Sequence, residues 1–184
     1  DAFAPEPGRV VPPLLPPDRR LRAPFVRWDL IEDRTLRENN RNLMGRPEFF
    51  ALGWLSTVQL GHTLRELGST QDAWLYALSA QRGFEPSDEQ TLLVAARLSG
   101  QYFDGQVQRQ RFGVDAQWYA PLGPRYLFYA GASMQWLERP DPAGLLRLGG
   151  DDGLRGYPLR WQNGTRRAVV SLEQPAHMAF VHML

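Results

Sequence analysis

The sequence predicts an all-β protein, an antiparallel transmembrane β-barrel segment of about seven strands that is incomplete as a barrel and follows a proline-rich N-terminal linker. From residue 23 onward, apolar and polar residues alternate in seven segments, and this period of two places every second side chain on one face of a strand. One face is aliphatic, with aromatic residues toward the strand ends, and the other carries small residues, amides and isolated charges. Several segments also reach the roughly 9–11 residues that a tilted strand needs to cross a bilayer.

Residues 1–22 form the predicted linker. Their closely spaced prolines remove ladder hydrogen bonds and favour an extended polyproline conformation, so we expect few internal hydrogen bonds there. The segment has no initiator methionine and no basic-then-apolar leader, and we therefore expect the chain to begin after processing or at a boundary within a longer protein.

Residues 23–174 form the predicted barrel segment. Its strands are, in chain order, PFVRWDLIED, FFALGWLSTVQLGH, AWLYALSAQRG, TLLVAARLSGQY, RFGVDAQWYA, YLFYAGASMQW and RRAVVSLEQ. The links FEPSDEQ, FDGQ and APLGPR are short and contain turn residues, so neighbouring strands are expected to pair antiparallel in one sheet. Four tryptophans are expected on one surface of this sheet and three polar residues on the other, namely Trp54, Trp74, Trp118 and Trp136 against Arg97, Asp115 and Gln117.

A soluble β-sandwich or a calycin-like barrel is the structural alternative. In a sandwich the polar face points to water and usually carries charged residues and threonines. Small residues suit such a face poorly, but they suit the lumen of a barrel whose apolar band faces lipid. The pattern therefore favours the membrane barrel.

Composition limits the other classes of function. All 21 basic residues are arginines, and they balance 20 acidic residues to a net charge of +1, so no strong overall field favours nucleic acid. The chain has no cysteine, which excludes disulfides, thiolate metal sites and catalytic thiols, and it has no apolar run as long as a membrane-spanning helix. Because His62, His177 and His182 lack zinc-site spacing and no catalytic motif occurs, we expect no enzyme activity, no cofactor and no metal.

Two predicted links are longer than turns, RTLRENNRNLMGRPE and the stretch 138–165. The second contains LRLGGDDGLRGYP, and we take it as the candidate site because long loops in compact domains are usually functional or disordered. Its glycines and acids are Gly149, Gly150, Asp151, Asp152 and Gly153. They lack the ligand spacing of a calcium loop and open no helix, so turn formation is favoured over calcium or phosphate binding.

The stretch LLRLGGDDGLRGYPLRWQNGTRRAVVSLEQ resembles the sixth extracellular loop and following strand of the BamA/TamA superfamily of outer-membrane barrel proteins. The family's [Val/Leu]-Arg-Gly-[Phe/Tyr] tetrad is matched by Leu154, Arg155, Gly156 and Tyr157. Less sharply, the resemblance extends back to about residue 25 through GRPEFFALGWLSTVQLG and GSTQDAWLYALSAQRGF. It implies a loop that folds back into the barrel lumen.

The resemblance also implies that Arg155 pairs with an acidic residue on the barrel wall. The planar guanidinium can hold a carboxylate through two hydrogen bonds, and Tyr157 adds apolar packing with a polar tip. Glu173 is the predicted partner and Asp115 the substitute, because both face inward by alternation. We expect Arg155→Ala to lower loop order and activity, and Arg155→Lys to restore them only in part.

The final segment departs from the family. Residues 175–184 replace the expected further strands, including the one that bears Phe-x-Asp-x-Gly, so the usual aspartate partner of Arg155 is missing. The resemblance implies a bacterial outer-membrane protein that assists insertion or translocation of other proteins. Its expected partners are outer-membrane lipid, client outer-membrane or secreted proteins and periplasmic domains of the same full-length protein. The alternative is a barrel that serves as anchor or pore for a separate N-terminal lipase or adhesin domain.

Overall fold

The computed structural model describes residues 18–39, 46–123, 126–141, 144–150 and 156–173. These residues form strands and their connections, with one 3₁₀ turn at Arg65–Leu67. The strands are β1 (Phe25–Ile31), β2 (Thr35–Asn39), β3 (Pro47–Ala51), β4 (Leu55–Thr63), β5 (Ala73–Ser87), β6 (Gln90–Phe103), β7 (Gln106–Pro121), β8 (Leu127–Glu138), β9 (Leu146–Leu148), β10 (Gln162–Gly164) and β11 (Arg166–Glu173). The predicted all-β class is confirmed. No helix in the described part of the chain is long and apolar enough to cross a membrane.

Seven strands form one antiparallel sheet in the order β1-β4-β5-β6-β7-β8-β11. The central strands are long, with 15 residues in β5 and 16 in β7. At about 3.3–3.4 Å per residue, fifteen residues extend roughly 50 Å, which exceeds the thickness of a bilayer core even at a steep tilt. Among the described residues β1 and β11 are the outer strands and do not pair with each other, so the sheet is open.

Tight turns join the central strands, as the sequence predicts. Asp104 and Gly105 connect β6 to β7 with φ angles of 51° and 70°. Two positive φ values in a two-residue loop define a type I′ turn, whose twist matches that of an antiparallel pair. At Arg109, which has a φ of 50°, β7 carries one extra residue relative to β6. This β-bulge bends the strand just after the hairpin.

The prediction of one continuous strand through FFALGWLSTVQLGH is wrong. β3 and β4 are separate strands, because the chain turns between them and β3 pairs with β2 in a small sheet of its own. At the turn, the N–H groups of Leu52 and Gly53 donate to the carbonyl oxygen of Arg34 at 2.8 and 3.0 Å. A side chain at residue 53 would overlap the carbonyl of Glu32, so only glycine allows this close approach. Trp54 consequently lies outside the strands rather than in the predicted row of tryptophans.

The end of the predicted linker is tied to the loop between β4 and β5. Thr70 N–H donates to the carbonyl oxygen of Arg20 at 2.9 Å, and Arg22 N–H donates to Ser69 Oγ at 2.8 Å. The expectation of few internal hydrogen bonds therefore does not hold for these residues, while residues 1–17 lie outside the described part of the chain.

Two small ladders accompany the main sheet. β2 pairs with β3, and β9 pairs with β10 inside the long loop that the sequence predicts at 138–165. Seen along the strands, one end of the main sheet carries the β4–β5 and β6–β7 turns and this long loop. The other end carries the β5–β6 and β7–β8 turns and the β2–β3 hairpin. We call them the loop end and the hairpin end.

Candidate functional site: two unlike faces of the sheet

The register of the main sheet separates its side chains into two faces. Trp136 pairs with Phe112, Phe112 with Leu98, and the row continues through Leu78 and Val58. Paired residues project to the same side, so between the bulges the even-numbered residues of these strands share one face and the odd-numbered residues share the other. We call them the apolar face and the polar face. The parity reverses in β7 before Arg109, where Val107 pairs with Tyr102. Trp118 and Asp115 lie on opposite faces, as the sequence predicts.

Large apolar side chains are exposed on the apolar face of every strand in the sheet. In the described residues of the seven strands, fifteen such side chains are at least about one third exposed, and thirteen belong to this face. The other two, Phe25 and Ile31, lie on the outer strand β1. The thirteen are Val26, Trp28, Leu30, Leu60, Trp74, Leu78, Phe84, Tyr102, Trp118, Met134, Trp136, Val170 and Leu172. Monomeric soluble proteins rarely leave one contiguous apolar surface of this kind in water.

Aromatic residues stand toward both ends of this face. On β5, Trp74 and Phe84 are ten residues apart, which corresponds to about 33 Å along the strand. A strand tilted by about 40° reduces that separation to a height of roughly 25 Å, the height of the apolar band on outer-membrane barrels. Tyr102 pairs with Trp74, and Trp118 occupies the row of Phe84, so the two aromatic levels continue onto β6 and β7.

Charged residues on the apolar face lie at the end of their own strand or beside an aromatic ring. In the described strands they are Arg82, Glu138 and Arg166. The guanidinium of Arg82 lies 5.4 Å from the ring centre of Phe84, and that of Arg166 lies 4.9 Å from the ring centre of Trp136. An arginine whose stem runs along an aromatic ring can keep its charge in water at the border of an apolar layer.

The centre of the polar face carries two ion pairs. Arg97 Nη1 lies 2.7 Å from Asp115 Oδ2, and Arg27 Nε lies 2.9 Å from Asp29 Oδ2. Thr57 Oγ1 donates a hydrogen bond of 2.6 Å to Asp29. Arg27, Asp29 and Arg97 border a recess of about 350 Å³ in the sheet surface. This centre is therefore polar, hydrogen-bonded and accessible to water.

The loop end of the polar face is covered. Gln101 is 1% exposed and accepts a hydrogen bond from the guanidinium of Arg109 in the bulge. Asp141, in the long loop, receives a hydrogen bond of 2.9 Å from Arg19 and lies 3.7 Å from Arg109. Because Arg19 precedes β1 and Asp141 follows β8, this cluster joins the two sides of the sheet across its end. No sequence pattern predicts this cluster, since Arg19 and Asp141 are 122 residues apart in the chain.

The long loop approaches itself closely at its glycines. Gly149 has a φ of 124°, and a side chain there would overlap the carbonyl oxygen of Pro158. Gly150 has a φ of 60° and packs against Leu159 in the same way. These glycines are needed because Gly149 meets the backbone of the opposite arm of the loop and Gly150 meets Leu159, and both have positive φ angles.

The base of this loop contacts the polar side of the sheet. Arg167 lies on the polar face of β11, and its guanidinium donates a hydrogen bond of 3.1 Å to the carbonyl oxygen of Arg147 in β9. Asp151, Asp152, Gly153, Leu154 and Arg155 lie outside the described residues. Of the tetrad, the structure describes Gly156, with a φ of 91°, and Tyr157, which is 53% exposed and has its ring 6.4 Å from that of Trp161.

The two predicted partners of Arg155 are placed differently. Asp115 is already bound by Arg97 in the centre of the polar face. Glu173 also belongs to the polar face, but it lies at the hairpin end of β11, about 23 Å along the strand from Arg166 where the long loop ends. The loop would have to reach deep along the polar face to meet Glu173, so the pairing of Arg155 stays a prediction.

The described residues contain no group of three or more histidine, aspartate or glutamate side chains that could hold a metal ion. His62, the one histidine in this part of the chain, packs against Trp74 with ring centres 4.6 Å apart. Comparisons with protein-family models, curated proteins and solved structures give no match. The candidate functional feature of the described residues is the contrast between the two faces of the sheet.

Proposed function

We propose that this chain is part of a β-barrel in the bacterial outer membrane, with its apolar face against lipid and its polar face toward the lumen, and that the protein assists insertion of other proteins. The observation that carries the membrane proposal is that thirteen exposed large apolar residues, spread over the seven strands, lie on a single face. At roughly 25 cal/mol for each Å² of apolar surface, contact of this face with water is very unfavourable, and contact with lipid removes that cost.

The position of the small hairpins supports lipid over a second sheet as the neighbour of the apolar face. In a soluble sandwich, additional elements cover the apolar face. Here Phe50 of β3 and Arg147 of β9 contact polar-face residues instead. The two aromatic levels on β5, β6 and β7 also suit a membrane with two interfaces.

The assembly role is supported by the open sheet and by the resemblance of the loop to the BamA/TamA superfamily. In lipid, unpaired strand edges leave backbone groups unsatisfied at several kcal/mol each, so β1 and β11 require partner strands. Strands of the same full-length protein or of a client can meet this requirement by adding to the sheet edge.

The assembly role can be tested with the full-length protein in liposomes. We expect it to accelerate the folding of a second outer-membrane barrel protein diluted from urea, relative to liposomes that hold an unrelated inert barrel. Arg155→Ala should slow this folding, whereas Arg160→Ala, an exposed arginine of the same loop, should leave it unchanged. Equal folding rates with this protein and with the inert barrel would contradict the assembly role and favour a barrel that serves as an anchor.

A further inference from the structure

The β2–β3 hairpin lies against the polar face at the hairpin end of the sheet. In this hairpin Leu36 pairs with Phe50, and both side chains pack toward the main sheet. Phe49 projects to the opposite side and is 68% exposed. The hairpin therefore has a sheet-facing side and a free side, and the two adjacent phenylalanines distinguish them.

The contact of this hairpin with the sheet contains the buried apolar cluster of the described residues. Phe50 is 8% exposed, and its ring centre lies 5.6 Å from that of Tyr119 on β7. Tyr119 and Leu127 are each 2% exposed, and Leu93 and Tyr129 pack around them. The hairpin thus contacts β7 through Phe50, and the cluster around this contact includes side chains of β6 and β8.

On β5 the contact is made by backbone and charge. Gly83 N–H donates a hydrogen bond of 3.1 Å to the carbonyl oxygen of Leu52. A side chain at Gly83 would lie 2.5 Å from Leu52 Cδ2, so the glycine provides the space in which the hairpin base rests. Arg34 and Glu85 form an ion pair of 2.7 Å at the rim. From the contact on β5 to the cluster residue Leu127 on β8, the seat of the hairpin spans four adjacent strands, which at about 4.8 Å spacing corresponds to roughly 14 Å of sheet surface.

The hairpin is attached through a closed neck. Glu32 N–H donates to the carbonyl oxygen of Trp54 at 2.8 Å, and Trp54 N–H donates to Glu32 Oε2 at 2.9 Å. Below this neck β1 pairs with β4 along its full length, from Phe25 to Ile31. The main sheet consequently keeps all of its ladders if the hairpin moves away as a unit.

From this arrangement we propose that the β2–β3 hairpin is a plug that blocks passage of polar solutes along the polar face and opens by leaving its seat on Tyr119 and Leu127. The inference rests on the proposed membrane orientation, because only then does the polar face line a lumen. Three features of the hairpin support the plug. The hairpin covers the polar face rather than the apolar one, its seat spans four strands, and its neck leaves the sheet intact when it moves. A hairpin that served only to stabilise the sheet would not need to be separable from the strand ladders.

The plug can be tested by conductance of the full-length protein in planar lipid bilayers. Phe50→Ala removes the side chain that fills the seat, and we expect it to raise the open-channel conductance several-fold over wild type. Phe49→Ala removes a neighbouring ring of the same size from the free side and should leave conductance at the wild-type value. The sequence contains no cysteine, so each engineered cysteine is unique within it.

A cross-link provides the converse test. Arg34→Cys with Glu85→Cys, joined by a short bis-maleimide, holds the hairpin to β5 at the position of the native ion pair. In the Phe50→Ala background this lock should return conductance to the wild-type value, which a general loss of folding could not do. Unchanged conductance in Phe50→Ala, or equal increases in Phe50→Ala and Phe49→Ala, would overturn the plug.

Membrane insertion is followed separately through a cysteine on the apolar face. If Leu78→Cys is protected from a water-soluble maleimide in the same vesicles but Phe50→Ala conducts like wild type, the plug is wrong and the membrane proposal stands. If Leu78→Cys reacts freely with that reagent, the membrane orientation is wrong, and the plug is overturned with it.

Discussion

The apolar and polar faces of the sheet are built from the same strands, yet they differ in what covers them. Side chains on the apolar face are exposed through the middle and bordered by aromatic and charged residues. On the polar face the centre is open and holds two ion pairs, and both ends are covered by elements of the same chain. In a soluble sheet protein the covered face would be the apolar one. The reversal supports the proposal that the apolar face has lipid as its neighbour.

A charge placed at the centre of each face should separate the two faces by the largest effect. Leu78→Arg puts an unpaired guanidinium in the middle of the apolar face, and at the bilayer midplane this should lower the free energy of unfolding by about 2–4 kcal/mol. Ala77→Arg, the adjacent residue on β5, places the same charge on the polar face, and we expect a cost of about 1 kcal/mol or less. Urea titration of the protein in lipid vesicles measures both values.

Equal destabilisation by the two arginines would contradict the orientation proposed here. Larger destabilisation by Ala77→Arg than by Leu78→Arg would reverse it, with the polar face then being the buried one.

A smaller effect is expected where the hairpin rests on the polar face. Gly83→Ala introduces a methyl group that would overlap Leu52. Because the hairpin must shift to accommodate it, we expect the free energy of unfolding to fall by about 1–3 kcal/mol. Gly113→Ala is the matched control, because its methyl group would lie at an ordinary 3.7 Å from Gln135 Cγ on the same face. If the two alanine variants unfold at the same urea concentration, the hairpin does not pack on β5 as described.

The sequence predicts the strands of the main sheet well because alternation is a local property. β5, β6, β7 and β8 fall on the predicted segments, and their turns contain the residues that tight hairpins require. The separation of β3 from β4 could not be predicted from alternation, since Phe50, Leu52 and Val58 keep the same parity across the turn. That turn depends on Gly53 meeting Glu32, a contact between residues far apart in the chain.

For the polar residues, the sequence predicts which face of the sheet each side chain occupies but not which residue it pairs with. Alternation places Arg97 and Asp115 on the same side of the sheet, but the choice of partner follows from the register between β6 and β7. The cluster of Arg19, Arg109 and Asp141 depends on a bulge and on the path of the chain before β1, neither of which has a pattern in the sequence.

The smallest effect is expected at the exposed ion pair on the polar face. The side chains of Arg97 and Asp115 are 64% and 37% exposed, so water and salt weaken their attraction. A double-mutant cycle with Arg97→Ala and Asp115→Ala should give a coupling free energy of about 0.2–1 kcal/mol that decreases in high salt. A coupling of several kcal/mol that salt leaves unchanged would show that the centre of the polar face is dry, contrary to an open lumen.

The reactivity of single cysteines at two adjacent residues of β5 tests directly which face of the sheet meets lipid. Leu78→Cys and Ser79→Cys are adjacent, and the second borders the recess on the polar face. In proteoliposomes of the full-length protein, we expect Leu78→Cys to be protected from a membrane-impermeant maleimide, because lipid excludes the reagent and suppresses the reactive thiolate, and we expect Ser79→Cys to react with it. Rapid reaction of Leu78→Cys with this reagent, or protection of Ser79→Cys from it, would contradict an apolar face toward lipid and a polar face toward water.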